Sequence, residues 1–418
     1  MREGYLLDPA LETQDEEDRQ LYLEAKLRAT VTLLHREAPR VQRLLDSAGI
    51  SPAQITLADL PRIPITRKDA IASMQAEDPP LAGLLAGPVG RLQHLFVSPG
   101  PMYVPQGPAS DYWRFGMAFA ATGFRPGDVV VNTLSYHLTP GGFMLDSGLR
   151  ALGCVVIPAG TGQTDLQVRT ASALRATGYA GTPTFLRTLL LRARELNVPL
   201  HFEAAFATAE MLPDSLRQEL EGFGIRVLQG YAAADAGVLA YECPQKNGMH
   251  LQPECIVEVL DLETGQPVAP GQPGQVVATT FDDSYPLLRL AMGDIAALAP
   301  EGPCPCGRTA PRLKGLLGRI GDAVKVKGLF VRGSQLDEVM KQFPAVARFQ
   351  AVVTREEHQD RIVYLVELAS GAPPDTALLE RIAESLRDVV KVRGEVQVAP
   401  PGAIADGAKK IDDRRVWR

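Results

Sequence analysis

The chain has 418 residues, of which 45% are hydrophobic and 22% are charged, and its formal net charge is −6. This balance is typical of a soluble globular protein of two or three domains, and its acidic sign argues against nucleic-acid binding. No apolar run reaches the roughly 18 residues of a membrane-spanning helix, and the acidic start of the chain has no signal-peptide core. The five cysteines are sparse and odd in number, which favours a reduced compartment. We therefore expect a cytoplasmic protein with neither a nucleic acid nor a membrane as its partner.

The first half of the chain predicts one helix and then alternating strands and helices. Apolar positions at helical spacing indicate a helix over residues 15–49. Strands are then expected at 128–134, 154–160, 179–183, 204–210 and 225–231, with helices at 141–153, 165–178, 183–196 and 213–224. Such alternation is typical of βαβ units on a parallel sheet, which binds ligands at the carboxyl ends of its strands.

The second half changes pattern twice. Short strands and turns follow from about residue 250, and a boundary is expected near Gly318. Beyond it, the order strand, helix, hairpin, helix, strand predicts a small ferredoxin-like α+β domain. We therefore predict a large α/β domain over residues 1–318, whose part at about 240–318 is β-rich, and a mobile C-terminal domain over residues 319–418.

Two loop segments, ECPQKNGMH and PCPCGR, carry side chains that ligate metals: Cys243, His250, Cys304 and Cys306. Three thiolates and one imidazole are the ligand set of a closed, tetrahedral structural zinc site. The alternative is that these cysteines are small residues of the core. Zinc is the favoured interpretation, because polar loops rich in Pro and Gly offer a cysteine little core to fill. Cys154 and Cys255 instead lie in apolar strand patterns typical of core positions.

Longer segments also stand out, in the order GFRPGDVVVN, LGCVVIPAG, GYAAADAGVLAYECPQKNGMH, PLLRLAMGD, PCPCGR and GRIGDAVKVKGLFVRGSQLDEVM. Together with the opening stretch LRATVTLLHREAPRVQRLLDSAGISPAQITLADLPRIPITRKDAI, they resemble the phenylacetate–CoA ligase family of the adenylate-forming, AMP-binding enzyme superfamily. The likeness runs over nearly the whole chain in the order of the family, which is more specific than any short motif.

The resemblance implies a two-step reaction. A carboxylate attacks the α-phosphate of ATP to give an acyl adenylate and pyrophosphate, and coenzyme A then displaces AMP. The implied ligands are ATP or AMP, Mg²⁺, coenzyme A and a small carboxylic acid, with an aromatic acid as one option. The resemblance further implies that the C-terminal domain rotates between the half-reactions, and it makes a homodimer one option for assembly.

The resemblance also assigns roles at the nucleoside to particular residues. Tyr231 opens the Y-G-x-[ST]-E motif of the family and is implied to stack on adenine, whereas Ala209 and Glu210 match a segment that lines the adenine pocket. Asp294 takes the position of the aspartate that binds both ribose hydroxyls, and Arg319 that of an arginine that also reaches the ribose. Each position has a local alternative, such as strand-end packing for the tyrosine or a turn cap for the aspartate.

Three further roles concern the phosphates, magnesium and adenylation. Ser98 keeps one hydroxyl of the phosphate loop, and Asp235 stands at the acidic position that helps to hold magnesium. The segment ADGAKKIDDRR resembles the one that carries the adenylation lysine, for which we choose Lys410 over Lys409. The alternative is that both lysines belong to a solvated tail. The four metal-ligand candidates fall where members of the family carry a metal cluster.

The chain departs from the family at the phosphate loop. Relatives read S-S-G-T-T-G-K-P there, whereas residues 98–105 read SPGPMYVP, so that Val104 replaces the lysine. Pro99 and Pro101 also remove backbone N–H groups that could otherwise face phosphate. They belong to an excess of proline, 33 of 418 residues, and no lysine occurs between residues 68 and 246.

Smaller departures from the family pattern follow the loop. Ala232 and Ala234 replace a glycine and a hydroxyl residue, and Gly321 stands where an aspartate is usual.

The sequence leaves three hypotheses for the function. The first hypothesis is an active ATP-dependent acyl- or aryl-CoA ligase, which the kept nucleoside positions favour. The alternative is a catalytically impaired homologue that keeps the fold, the zinc and AMP or acyl binding as an accessory protein, which the altered loop favours. A protein that binds AMP or an adenylate and uses other substrates is a third option.

Overall fold

The structure, a computed structural model, describes residues 2–98, 102–300, 302–320, 323–327, 329–356, 359–369 and 375–415. The chain divides into two units. The first comprises residues 1–212 and 217–318, and the second comprises residues 319–418 with the segment 213–216. Within the residues described, no helix is long and apolar enough to cross a membrane.

The N-terminal part of the first unit is mainly helical. Its elements are α1 (Pro9–Glu12), α2 (Glu16–Glu37), α3 (Pro39–Ser47), β1 (Thr66–Arg67), α4 (Lys68–Glu77), β2 (His94–Val97) and β3 (Tyr103–Gln106). The prediction of one helix over residues 15–49 is wrong, because the helix is interrupted at Ala38. Pro39 has no N–H to continue the helix and its ring disfavours the α conformation of the preceding residue, so that Ala38 is extended, with φ −113° and ψ 94°.

Alternating helices and strands form the centre of the first unit. They are α5 (Gly116–Thr122), β4 (Val129–Asn132), α6 (Gly141–Ala151), β5 (Val155–Pro158), α7 (Thr164–Ala173), β6 (Gly178–Gly181), α8 (Pro183–Glu195), β7 (Ala204–Ala207), α9 (Asp214–Glu221) and β8 (Arg226–Ala233). The five strands pair in parallel in the order β5-β4-β6-β7-β8. Every residue of β6 and β7 is buried, as expected for parallel strands covered on both faces. The predicted parallel α/β sheet is confirmed.

The sheet continues into antiparallel strands. These are β9 (Gly237–Glu242), β10 (Met249–Leu251), β11 (Cys255–Leu260), β12 (Pro273–Thr280), β13 (Leu290–Leu298) and β14 (Arg312–Arg319). They extend it from β8 in the order β9-β10-β14-β13-β12-β11, and the short strand β1 pairs in parallel with β13. The register places Thr66 opposite Leu290, so the start of α4 lies beside the strand that carries Asp294.

The second unit has its own sheet and core. Its elements are β15 (Ala323–Val326), β16 (Leu329–Arg332), α10 (Gly333–Met340), β17 (Val346–Glu356), β18 (Gln359–Leu368), α11 (Thr376–Val390), β19 (Glu395–Val398) and β20 (Ile411–Asp413). The predicted order of strand, helix, hairpin, helix and strand is confirmed from β16 to β19. The pairing differs from the expected ferredoxin-like sheet in one respect. β16 forms a hairpin with β15, and β20 takes the fourth place in the sheet order β19-β18-β17-β20.

A buried ion pair attaches the N-terminal segment to the rest of the first unit. Arg308 Nε lies 2.5 Å from Glu12 Oε2, and the two side chains are 3% and 0% exposed. The Tyr241 hydroxyl donates to the same carboxylate oxygen at 3.2 Å, and the backbone N–H of Leu7 donates to the other at 2.6 Å. The carboxylate is thus paired and hydrogen-bonded through both oxygens, as a buried charge requires.

Glu12→Ala is expected to lower the free energy of unfolding by about 3–5 kcal/mol, because it leaves the Arg308 guanidinium buried without its partner. Urea unfolding followed by the fluorescence of the buried Trp113 measures this in the first unit. Glu17→Ala, which changes an exposed glutamate in the first turn of α2, is the matched control and should cost at most about 1 kcal/mol. Equal stability of the two variants contradicts the prediction.

Candidate functional site

Two of the predicted nucleoside residues are in contact. Tyr231 lies near the end of β8 and Asp294 in the middle of β13, and the Tyr231 hydroxyl donates to Asp294 Oδ2 at 2.8 Å. Both residues are buried, at 6% and 5% exposure. The hydrogen bond fixes the orientation of the carboxylate and of the phenol ring together. The sheet therefore joins two positions that lie 63 residues apart in the chain.

The predicted magnesium residue forms an ion pair that sequence reasoning missed. Asp235 follows β8, and its Oδ2 lies 2.5 Å from Nζ of Lys68, the first residue of α4. The pairing of β1 with β13 brings this lysine to the site. In the sequence, Lys68 stands out only because the next lysine is residue 246. This gap does not indicate that Asp235 is its partner.

The segment predicted to line the adenine pocket forms the turn after β7. Ala209 has a positive φ of 68°, which is uncommon for a residue with a Cβ atom. The neighbouring Glu210 accepts a hydrogen bond of 2.5 Å from the Thr184 hydroxyl of α8. This turn follows a fully buried parallel strand, at the carboxyl edge where such sheets bind ligands.

The altered phosphate loop connects β2 and β3, which pair as an antiparallel hairpin. Ser98 is buried, and its N–H donates to the Met102 carbonyl at 2.8 Å. Val104 is only 2% exposed and packs in an apolar cluster that also contains Tyr231. The position of the family's lysine is therefore a core position here. The prolines predicted to disturb the loop, Pro99 and Pro101, lie outside the described residues.

The four metal-ligand candidates come together in the first unit. One ligand atom from each of Cys243, His250, Cys304 and Cys306 lies within 4.8 Å of all the others. Two thiolates on a tetrahedral zinc ion are about 3.8 Å apart, and a thiolate and an imidazole nitrogen about 3.6 Å. The sulfurs of Cys243 and Cys304 are 3.6 Å apart, and Cys306 Sγ is 3.5 Å from His250 Nε2. The donor set and its spacing therefore fit zinc.

The surroundings of the cluster also suit a metal. His250 is fully buried, and its Nδ1 lies 3.3 Å from the Ala310 carbonyl oxygen, which orients the ring and leaves Nε2 toward the cysteines. Hydrogen bonds from Cys243 and His250 hold the pKa of the Cys306 thiol well below its usual range. A thiolate is the form that binds a metal. Cys154 and Cys255 lie apart from the cluster, in the apolar cores as predicted.

Two predicted residues belong to the second unit. Lys410 precedes β20, and its ammonium pairs with the Asp337 carboxylate and lies 5.9 Å from the centre of the Phe349 ring. Arg319 ends β14 at the start of this unit. Gly321 lies outside the described residues.

Tyr231→Phe is expected to weaken AMP binding about tenfold, because Asp294 loses the charge-assisted hydrogen bond that orients it. Isothermal titration calorimetry measures the affinity directly. Tyr364→Phe is the matched control, since it removes a buried hydroxyl that donates to the Val392 carbonyl within the second unit. If Tyr231→Phe binds AMP as tightly as this control, the hydrogen bond has no role in nucleotide binding.

Comparisons with known proteins identify the family of the chain. The AMP-binding enzyme family matches residues 110–280, and the AMP-binding enzyme C-terminal domain matches residues 328–416. A phenylacetate-coenzyme A ligase of Thermus thermophilus is 31% identical, over 95% of this chain and 96% of that protein. One from Escherichia coli is 25% identical, over 95% and 94% of the two chains.

A solved structure is also similar over nearly the full length. The crystal structure of a 2-hydroxyisobutyryl-CoA ligase in complex with 2-HIB-AMP and CoA gives a TM-score of 0.87 at 26% identity, covering 97% of this chain and 92% of that one. Sequence and fold thus match the same class of proteins from end to end. The chain belongs to the phenylacetate–CoA ligase-like family of adenylate-forming, AMP-binding enzymes.

Proposed function

We propose that the protein is an ATP-dependent ligase, which activates a small carboxylic acid as an acyl adenylate and transfers the acyl group to coenzyme A. The observation that carries the proposal is the buried hydrogen bond between Tyr231 and Asp294. It joins the two positions to which the family assigns adenine stacking and ribose binding. Both side chains are held in place before any ligand arrives, which reduces the ordering cost of nucleotide binding.

The proposed reaction has two steps. First, a carboxylate oxygen of the acid forms a bond to the α-phosphorus of ATP, and the bond from this phosphorus to the pyrophosphate oxygen breaks. Then the thiol of coenzyme A attacks the acyl carbon, loses its proton, and AMP leaves. Lys410 is the candidate donor to the charge that develops in the first step, and Asp294 is the candidate acceptor for the ribose hydroxyls.

The proposal includes two metal ions, zinc and magnesium. Zinc held by the four-residue cluster has no open position for a substrate, and its role is to join the loop after β9 to the loop before β14. Magnesium suits Asp235, because a carboxylate oxygen is the ligand it prefers and Oδ1 of this residue is buried without a hydrogen-bond partner among the residues described. When bound there, magnesium neutralises charge on the phosphates.

The names of the relatives support a choice of acids to test. The Thermus thermophilus and Escherichia coli proteins are phenylacetate-coenzyme A ligases, and the structural neighbour is a 2-hydroxyisobutyryl-CoA ligase. We propose an aromatic acid such as phenylacetate as the substrate, with 2-hydroxyisobutyrate as the aliphatic comparison. Assembly as a homodimer stays a prediction, which light scattering tests.

ATP–pyrophosphate exchange across a panel of acids tests the function. Acid-dependent exchange, followed by thioester formation when coenzyme A is added, is the expected result. The absence of exchange with every acid, together with AMP binding by calorimetry, contradicts the ligase and supports the accessory-protein hypothesis. The comparisons with known proteins give that alternative no support.

A further inference from the structure

The ion pair between Lys68 and Asp235 leaves one oxygen of a buried carboxylate without a partner. The Asp235 side chain is 2% exposed and Lys68 is 30% exposed, with 2.5 Å between Nζ and Oδ2. Asp235 Oδ1 is buried and has no hydrogen-bond partner among the residues described. Buried carboxylate oxygens are normally hydrogen-bonded, so this one requires an explanation.

A structural ion pair in the same unit is completely satisfied. Arg217 donates to both oxygens of Glu242 at 2.8 Å, and the side-chain and backbone nitrogens of Gln229 donate to the same two oxygens. The Arg217 and Glu242 side chains are 8% and 6% exposed, so neither charge reaches water. The pair of Lys68 and Asp235 differs in both respects, because one oxygen is unpaired and the ammonium reaches the surface. This contrast indicates a ligand site rather than a structural ion pair.

Helix α4 links Lys68 to the altered phosphate loop. Helix α4 begins with Lys68, and near the end of the same helix the Gln75 amide donates to the Tyr103 carbonyl and accepts from the Tyr103 N–H, both at 2.8 Å. These two hydrogen bonds hold α4 against β3, the strand that leaves the loop. Gln75 lies seven positions after Lys68 in the helix, a rise of about 10 Å. The helix thus connects the loop to Asp235.

We propose that Lys68 is the phosphate-binding cation of this protein and takes over, from a different element, the role of the lysine that the loop lacks. The inference rests on the proposed function, since it concerns the β- and γ-phosphates of ATP. Without nucleotide, the ammonium neutralises Asp235. In the complex with ATP, Asp235 would hold Mg²⁺, which would supply the countercharge to the carboxylate, and the flexible Lys68 side chain would turn to the phosphates.

Neighbouring residues support this assignment. Val104 cannot be replaced by a charged side chain at low cost, because it is 2% exposed in an apolar cluster. The Arg114 guanidinium also lies beside the turn that holds Asp235, but it donates to the backbone carbonyls of Tyr112 and Ala236. The partly exposed Lys68 keeps the freedom to move that a phosphate ligand requires.

Calorimetry with ATP and with AMP, in the presence of Mg²⁺ and without any acid, tests the proposal. Lys68→Met should weaken ATP binding about 10- to 100-fold, the effect of one charge-assisted contact, and change AMP binding by less than about twofold. Lys68→Arg should retain most of the ATP affinity. Arg67→Met is the matched control, because it removes an adjacent cation that is 70% exposed, and it should have no effect. Equal losses for ATP and AMP, or no loss for ATP, overturn the proposal.

A second pair of variants separates phosphate binding from simple pairing with Asp235. In an Asp235→Asn background, Lys68→Met no longer leaves a buried charge without a partner, so this protein is expected to fold even if the single variant does not. Phosphate binding predicts a further loss of ATP affinity of about tenfold or more in this background. No further loss means that Lys68 serves only as the partner of Asp235.

The wild-type protein distinguishes a failure of this inference from a failure of the proposed function. Wild-type protein that binds no ATP and shows no exchange overturns both. Wild-type protein that binds ATP, alongside a Lys68→Met variant that binds it equally well, overturns only the role of Lys68.

Discussion

Cys304→Ser and Cys306→Ser are each expected to abolish the zinc binding proposed for the cluster and to lower the free energy of unfolding by more than about 4 kcal/mol, a size reached on loss of a structural metal. A serine hydroxyl at these positions does not supply the thiolate that zinc prefers. The three remaining ligands are also left close together without the metal charge that would hold them. The loop that carries both cysteines continues to Arg308, which pairs with Glu12, so the damage should spread to the N-terminal segment.

Metal analysis of the purified protein and urea unfolding measure the two effects. The wild-type protein should contain about one zinc ion per chain, and each serine variant should contain far less. Cys154→Ser and Cys255→Ser are matched controls, because both thiols are buried but lie outside the cluster. They should cost about 1–3 kcal/mol for a buried hydroxyl and keep the metal. Stable wild-type protein without metal contradicts the zinc site.

Lys410→Ala is expected to slow acyl-adenylate formation by about 100- to 1000-fold, the effect of removing one donor to developing charge. The ammonium now pairs with Asp337, and the side chain is 42% exposed, so its removal leaves no buried charge behind. Transfer from a synthetic acyl adenylate to coenzyme A should change little, because no bond to the α-phosphate is then being formed. Pyrophosphate exchange and thioester formation, measured separately, distinguish the two steps.

The neighbouring lysine provides the control for this experiment. Lys409 is exposed, and its contact with the described part of the second unit is a backbone one, from the Gln350 amide to its carbonyl oxygen at 2.8 Å. Lys409→Ala should therefore leave adenylation nearly unchanged. A loss in Lys409→Ala and none in Lys410→Ala reverses the assignment. Equal activity in both variants contradicts an adenylation lysine in this segment.

Local features of the chain are sufficient to predict the class of fold and most of the candidate site. The strands and helices between residues 128 and 231 follow from alternating patterns that are short-range in origin. The positions of Tyr231 and Asp294 follow from motifs that keep their order along the chain. The four metal-ligand candidates follow from residue type and from their polar loops, whereas only the fold brings their ligand atoms within 4.8 Å of one another. The interruption of the helix before Pro39 also follows from a local rule, because proline disfavours the helical conformation of the residue that precedes it.

Contacts between distant segments require the folded sheet. The order of its strands brings Lys68 to Asp235, although 167 positions separate them, and no local pattern near either residue indicates the other. The same holds for the hydrogen bond between Tyr231 and Asp294, and for the orientation of Val104 into the core. Periodicity and turn chemistry report on neighbours along the chain. Which strands lie side by side depends instead on the total packing energy of many residues that are remote in the chain. For this reason only the tertiary structure reveals the ion pair between Lys68 and Asp235, and with it the phosphate-binding role proposed for Lys68.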